Sequence, residues 1–175
     1  QLTLNPEDPT QYRYQGEWRS LEARDVSVNV LTNEGIDTRT APVWFSHHGP
    51  IIQMPGLEWS AQKAYATRDA NSENTQVMSQ WLAMGQAQSM DEFIQAHETY
   101  NSMPWVNTIS TSAEGRAVYL DNSNVGALSS EAIEAWNKRI EQVPQLKQLY
   151  LTKGVVILDG STLRDEWISH PDASI

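Results

Sequence analysis

The carboxamide of Asn107 stands out in the run Met103-Pro104-Trp105-Val106-Asn107-Thr108-Ile109-Ser110, where apolar residues otherwise alternate with small hydroxyl residues. A turn at Ala113-Glu114-Gly115 follows, and then a second alternating run to Asp121. A side-chain amide carries two donor hydrogens and an acceptor oxygen. Fixed beside a reacting carbonyl, its N–H can stabilise the oxyanion that develops during acyl transfer. Satisfied inside the fold, the same amide merely holds a strand end or a bulge. The local sequence leaves both readings open. Residues i and i+2 of a strand share a face, so Trp105 is expected beside Asn107, walling whatever site the amide faces.

Other chemistry-bearing residues carry plainer readings. His47 and His48 are adjacent, and neighbours in a strand point to opposite faces, so they are not expected to ligate one ion. One of them is expected to hydrogen-bond backbone at the Gly49-Pro50 turn, and His97 and His170 are isolated. Asp91-Glu92 resembles a carboxylate pair, but both fall in the first turn of a helix, where they complement its dipole. Asp69, Asp121 and Asp159 lie in turns without the spacing of a calcium loop. No metal site and no cofactor are expected. Gly115 and Gly126 are turn residues, since no phosphate-binding glycine pattern is present.

The elements that must position these residues divide the chain into stretches. Residues 1–70 read mainly as strands: Val26, Val28 and Val30 alternate with polar residues as in a half-buried strand, Thr38 to Phe45 returns, and Trp59 to Ala66 forms another. Residues 71–102 switch to a helical period. Val77, Met78, Trp81, Leu82 and Met84 form one apolar stripe; Ser89 and Glu92 form a capping box ahead of Phe93, Ile94 and His97. Residues 103–121 are the hairpin bearing Asn107. Residues 129–152 are again helical, with Ile133, Trp136, Ile140 and Val143 on one stripe and a stop at Pro144. Val155 to Leu158 reads as a strand or a buried loop. The fold class is therefore α+β, an antiparallel sheet with packed helices, in a single partial domain over 1–175.

Hydrophobic content of 39% with seven Trp in 175 residues supports a folded core. A formal net charge of −10 and scattered Lys and Arg argue against a nucleic-acid partner. The absence of cysteine excludes disulfides, thiolate metal sites and a thiol nucleophile. No membrane partner is indicated by any long apolar run. The tryptophans are read as core residues, Trp105 excepted.

Trp105-Val106-Asn107-Thr108-Ile109 with Glu114-Gly115-Arg116-Ala117 and Tyr119 resembles the penicillin-acylase family of N-terminal nucleophile hydrolases, nearest its acyl-homoserine-lactone and aculeacin acylases. Leu2-Thr3-Leu4-Asn5-Pro6 leading to Tyr14-Gln15-Gly16-Glu17-Trp18, Val43 to Ile52 around His48-Gly49-Pro50, and Leu158-Asp159-Gly160-Ser161 with Trp167 and Pro171-Asp172-Ala173 are similar to further segments of that branch, in order along nearly the whole chain. The resemblance implies part of an αββα core, an oxyanion-binding role for Asn107, and an N-acylated small-molecule substrate such as an acyl-homoserine lactone or a lipopeptide. It also implies export to the periplasm or outside the cell. Ser112 stands where members often carry Asp, which puts any role of that acid in doubt. Members attack with a chain-terminal Ser whose own amine is the base, and this chain begins with Gln1. The resemblance therefore implies an internal fragment of the large subunit, inactive alone, whose partners are the small subunit and the nucleophile-bearing segment. The competing class is a non-catalytic β/α binding or assembly module in which Asn107 is buried and structural.

Overall fold

A computed structural model describes residues 1–168 of the chain. His170 and the Pro171-Asp172-Ala173 segment lie outside the described residues. The sequence reads as one partial domain, but the contacts divide the chain into two compact units, Gln1–Arg68 with the chain from Ala127 onward, and Asp69–Gly126.

The first unit is built on a seven-stranded antiparallel sheet. In chain order its strands are β1 (Leu2–Asn5), β2 (Asp8–Tyr14), β3 (Glu17–Ser20), β4 (Glu22–Thr32), β5 (Gly35–Ser46), β6 (Gly49–Ile52) and β7 (Lys63–Ala66), and their spatial order is β3-β2-β1-β7-β6-β5-β4. Period-2 alternation assigns the two faces. Leu2, Leu4, Tyr12, Tyr14, Leu21 and Ala64 form one buried cluster, with Trp44, Ile51 and Trp59 against it. Their strand neighbours Tyr65 and Ile52 point the other way, into a second cluster with Trp136 and Ile157. Helices α3 (Ser130–Gln142) and α4 (Pro144–Lys153) supply that second cluster through Trp136, Ile140, Leu146 and Leu149.

Caps and turns define the ends of these helices. The Ser129 hydroxyl accepts the Ala132 amide at the start of α3. Pro144 both stops α3 and opens α4, where its missing N–H costs nothing. Gly154, in a left-handed conformation, closes α4. Val155 to Leu158 is a loop, with Ile157 buried.

Two expectations for the strands change. Trp59 to Gln62 is not strand, because Ser60 folds back on Lys63 through hydroxyl and backbone bonds, so only Lys63–Ala66 pairs. The alternation of Val26, Val28 and Val30 marks a strand but not a half-buried one. Val26 and Val28 are about half exposed, and Leu31 and Ile36 more so. This part of the β4–β5 ribbon runs beyond the packed end of the sheet, with Val26 opposite Ala41 and Val30 opposite Asp37.

The second unit holds α1 (Val77–Gln86), α2 (Met90–Tyr100) and the hairpin β8 (Thr108–Thr111) and β9 (Ala117–Leu120). The Ser89 hydroxyl accepts the Glu92 amide as the capping box predicts, while the Glu92 carboxylate reaches the Gln88 N–H. Asp91, in the first turn, pairs with Arg116 at 2.7 Å. The apolar stripe of α1 is not its buried side. Met78, Trp81 and Leu82 are exposed, and the buried residue is Gln80.

Candidate functional site

Asn107 does not lie in a strand. It immediately precedes β8, whose first pair is Thr108 with Leu120. Trp105 adopts φ +55°, the left-handed region that a bulky side chain rarely enters, so Trp105-Val106-Asn107 is an irregular segment. Strand alternation therefore does not place Trp105 and Asn107 on one face. Both side chains are exposed, Trp105 at 72%. Among the described residues the Asn107 amide has no hydrogen-bond partner within its unit, so it is not the buried, satisfied carboxamide of the structural reading.

The segment is exposed at its tip and anchored at its base. Asn101 ends α2 in a left-handed conformation, its N–H donating to the His97 carbonyl. Ser102 and Met103 are buried. The Ser102 N–H donates to Gln80 Oε1 at 2.6 Å, and its carbonyl accepts from Asn74 Nδ2 at 2.9 Å. Gln80 Nε2 in turn lies 3.0 Å from His97 Nδ1, and Asn122 Nδ2 donates to the His97 carbonyl. Ser123 Oγ donates to the Val106 carbonyl on the far side. A buried amide inside α1 thus fixes the base of the segment that presents Trp105 and Asn107. Pattern reading missed Gln80, because it occupies one position in a helix whose apolar residues dominate the periodicity.

The histidine pair belongs to the first unit. His47 and His48 form the two-residue turn between β5 and β6 rather than continuing a strand, so the expectation of opposite faces does not hold. Their rings are 3.8 Å apart between centroids. Gly49 dictates the turn: its φ is +131°, and a Cβ there would collide with the Thr67 carbonyl. His48 bonds backbone, but at the Gly160 carbonyl (3.0 Å) and not at the Gly49-Pro50 turn. His47 Nδ1 lies 2.7 Å from the Tyr12 hydroxyl, and His47 Nε2 lies 2.9 Å from Glu166 Oε1. Arg68 holds the other carboxylate oxygen at 2.6 Å and stacks over Trp167.

Opposing effects set the charge states in this cluster. Burial alone would raise the Glu166 pKa, but the hydrogen bond from His47, the charge of His48 and the hydrogen bond from Arg68 outweigh it, and the carboxyl is held below its usual value. Desolvation, then the neighbouring His48, pushes His47 below the ordinary imidazole value against the pull of Glu166. Glu166, 119 residues from His47 in sequence, left no signal that could have joined them.

The sequence model of the penicillin amidase family matches residues 1–173. The chain is 34% identical over 175 residues to an acyl-homoserine lactone acylase PvdQ of Pseudomonas fluorescens strain Pf-5, covering 99% of this chain and 21% of that protein. It is 34% identical over 179 residues to the aculeacin-A acylase of Actinoplanes utahensis, again 99% of this chain and 21% of the relative. Among solved structures, a thermostable penicillin G acylase from Alcaligenes faecalis shares the fold at a TM-score of 0.56 and 24% identity, over 72% of this chain and 21% of that one. The chain thus spans about a fifth of the length of the relatives it matches. The α+β antiparallel architecture agrees with that neighbour, a penicillin acylase. On the match across residues 1–173, the chain belongs to the penicillin amidase family.

Proposed function

We propose that this chain is a segment of an N-acyl amidohydrolase and that Asn107 is its oxyanion donor. The observation that carries the reading is an exposed carboxamide without a partner in its unit, presented at the mouth of the β8–β9 hairpin on an anchored base, in a chain of this family. An amide left free of partners is available to a developing oxyanion, whereas one already satisfied is not. The competing binding-module reading requires Asn107 buried and satisfied, and its exposure speaks against that.

In the complete enzyme, a Ser supplied outside residues 1–175 attacks the amide carbonyl with its own α-amine as base. The Asn107 N–H then stabilises the oxyanion, and Trp105 walls the acyl site. The substrate class is an amide joining an acyl chain to an amine, as in an acyl-homoserine lactone or a lipopeptide, and the enzyme acts in the periplasm or outside the cell. Among the described residues no helix is long and apolar enough to cross a membrane. Exposed Met78, Trp81 and Leu82 on α1, and Ile109 and Tyr119 on the hairpin, are surface that the remaining four-fifths of such an enzyme would cover.

The test is Asn107→Ala in the intact enzyme. Removing one oxyanion donor costs about 100- to 1000-fold in kcat. KM should stay nearly constant, since the amide is used in the transition state and not in the ground state. An unchanged turnover number would sink the assignment.

A further inference from the structure

We propose that His47, His48 and Glu166 form a binding site for a divalent transition-metal ion of the zinc type, held by two imidazole nitrogens and one carboxylate oxygen. The inference goes beyond the acylase reading, and none of these residues has a part in the oxyanion chemistry. One donor atom from each of the three lies within 4.8 Å of the others. Two of the spacings are tighter: His47 Nε2 is 2.9 Å and His48 Nδ1 3.5 Å from the same Glu166 Oε1. Zinc bonds nitrogen and carboxylate oxygen at about 2.0–2.2 Å, so donors around a tetrahedral ion sit about 3.3–3.5 Å apart. The observed spacings bracket that value.

The hydrogen bonds behind the rings point the same way. A carbonyl oxygen only accepts, so the bond between His48 Nε2 and the Gly160 carbonyl places the proton on Nε2. In the neutral ring the Nδ1 lone pair then faces Glu166 Oε1. Two acceptors face each other there, an arrangement that a cation between them relieves. His47 has the matching support. Its Nδ1 lies 2.7 Å from the Tyr12 hydroxyl, whose oxygen can accept a hydrogen bond from Nδ1–H and so leave Nε2 unprotonated for a metal. Ligating histidines characteristically donate their second ring N–H to such an acceptor, which fixes the tautomer and the ring plane.

The surroundings favour a transition metal over calcium or magnesium. Two imidazoles with a single carboxylate is a nitrogen-rich set, whereas the hard cations take oxygen ligands. Arg68 engages Oε2 and leaves Oε1 to the two histidines, so it orients the carboxylate while offsetting its charge. The side chains of His47, His48 and Glu166 keep 28%, 15% and 16% of their exposure, which leaves water a way to complete the coordination sphere. Two glycines permit the arrangement. Gly49 forms the turn, and a Cβ on Gly160 would sit 3.1 Å from His48 Nε2.

Calorimetric titration of the chelator-stripped 175-residue chain with Zn²⁺ tests the site, with Co²⁺ absorption as a second probe. The expected result is one equivalent bound, with Co²⁺ showing the visible bands of a four-coordinate nitrogen–oxygen site. Tyr12→Phe should weaken Zn²⁺ by about 10- to 100-fold, the usual cost of losing an outer-shell partner. Glu166→Gln and His48→Ala, which remove ligands, should weaken it more than that. His48 also holds Gly160, so circular dichroism accompanies each variant, and Glu166→Gln decides the matter where His48→Ala fails to fold. No stoichiometric Zn²⁺ binding, or binding that Glu166→Gln leaves unchanged, overturns the proposal.

Discussion

Gly49→Ala tests whether the close approach beneath the His47-His48 turn organises that region of the sheet. The substitution meets two separate penalties. At φ +131° an L residue is strained by about 1–3 kcal/mol. The new Cβ would also fall inside the 3.0 Å that real Cβ atoms keep, against the Thr67 carbonyl oxygen, with the carbonyl carbon only 3.3 Å away. Both partners are backbone, so no side-chain rotation relieves the clash. Relief requires β6 to move off the chain after β7, which breaks the bond from the Thr67 N–H to the Pro50 carbonyl and leaves its two groups short of partners. That adds about 1–3 kcal/mol. The expected loss is about 2–6 kcal/mol, a fall of roughly 4–24 °C in thermal midpoint for a chain of this size. The control is Gly16→Ala in the β2–β3 turn, where φ is +86° but a Cβ meets open space. Strain acts alone there, and the loss should be about 1–2 kcal/mol. Thermal melts of the two variants beside the parent chain measure the difference. If Gly49→Ala costs no more than Gly16→Ala, the close approach does not organise the turn.

Two further predictions follow from buried or coupled polar groups. Gln80→Ala leaves the buried Ser102 N–H without its partner, while His97 Nδ1 keeps Asn122 Oδ1 at 3.3 Å; the expected loss is about 1–3 kcal/mol, with faster amide exchange at Ser102, and unchanged exchange there would refute the anchoring role. Acidification should destabilise the His47–Glu166–Arg68 cluster. His47 and Glu166 both have folded pKa values below their ordinary 6.5 and 4.5, so the unfolded chain takes up protons first. Their contribution is present above those values and is lost as pH falls, first through the imidazole range and then through the carboxylate range. Melting midpoints between pH 7 and 4 should fall less steeply below about 4.5 in Glu166→Gln than in the parent, and parallel curves would remove Glu166 from the account.

What the sequence could reveal depended on whether the determining physics was local. Ser89 with Glu92, Ser129, and Pro144 each act within one helical turn, and the helices begin and end where those residues say. The β4–β5 and β8–β9 hairpins were equally legible, because alternation and turn glycines are neighbours in the chain. Burial was less legible. Val26 and Val28 have the pattern of a covered face and lie exposed, and α1 turns Gln80 inward and Trp81 outward. Alternation reports what a surface would accept, while its covering depends on elements far away or outside these residues. At the two candidate sites the expected local geometry departed from the structure in opposite ways. Asn107 was singled out by residue type, but the strand geometry expected of it does not hold, since the left-handed turn at Trp105 breaks the alternation that would have paired the two side chains. For the histidines the local rule misled, because opposite faces hold only while the strand continues. Gly49 ends it at a contact with Thr67, and the rings then converge on Glu166, 119 residues from His47. A single glycine thus turns two residues that local geometry would separate into neighbours on one carboxylate, and only the long-range packing of the Leu158–Trp167 segment brings that carboxylate to them.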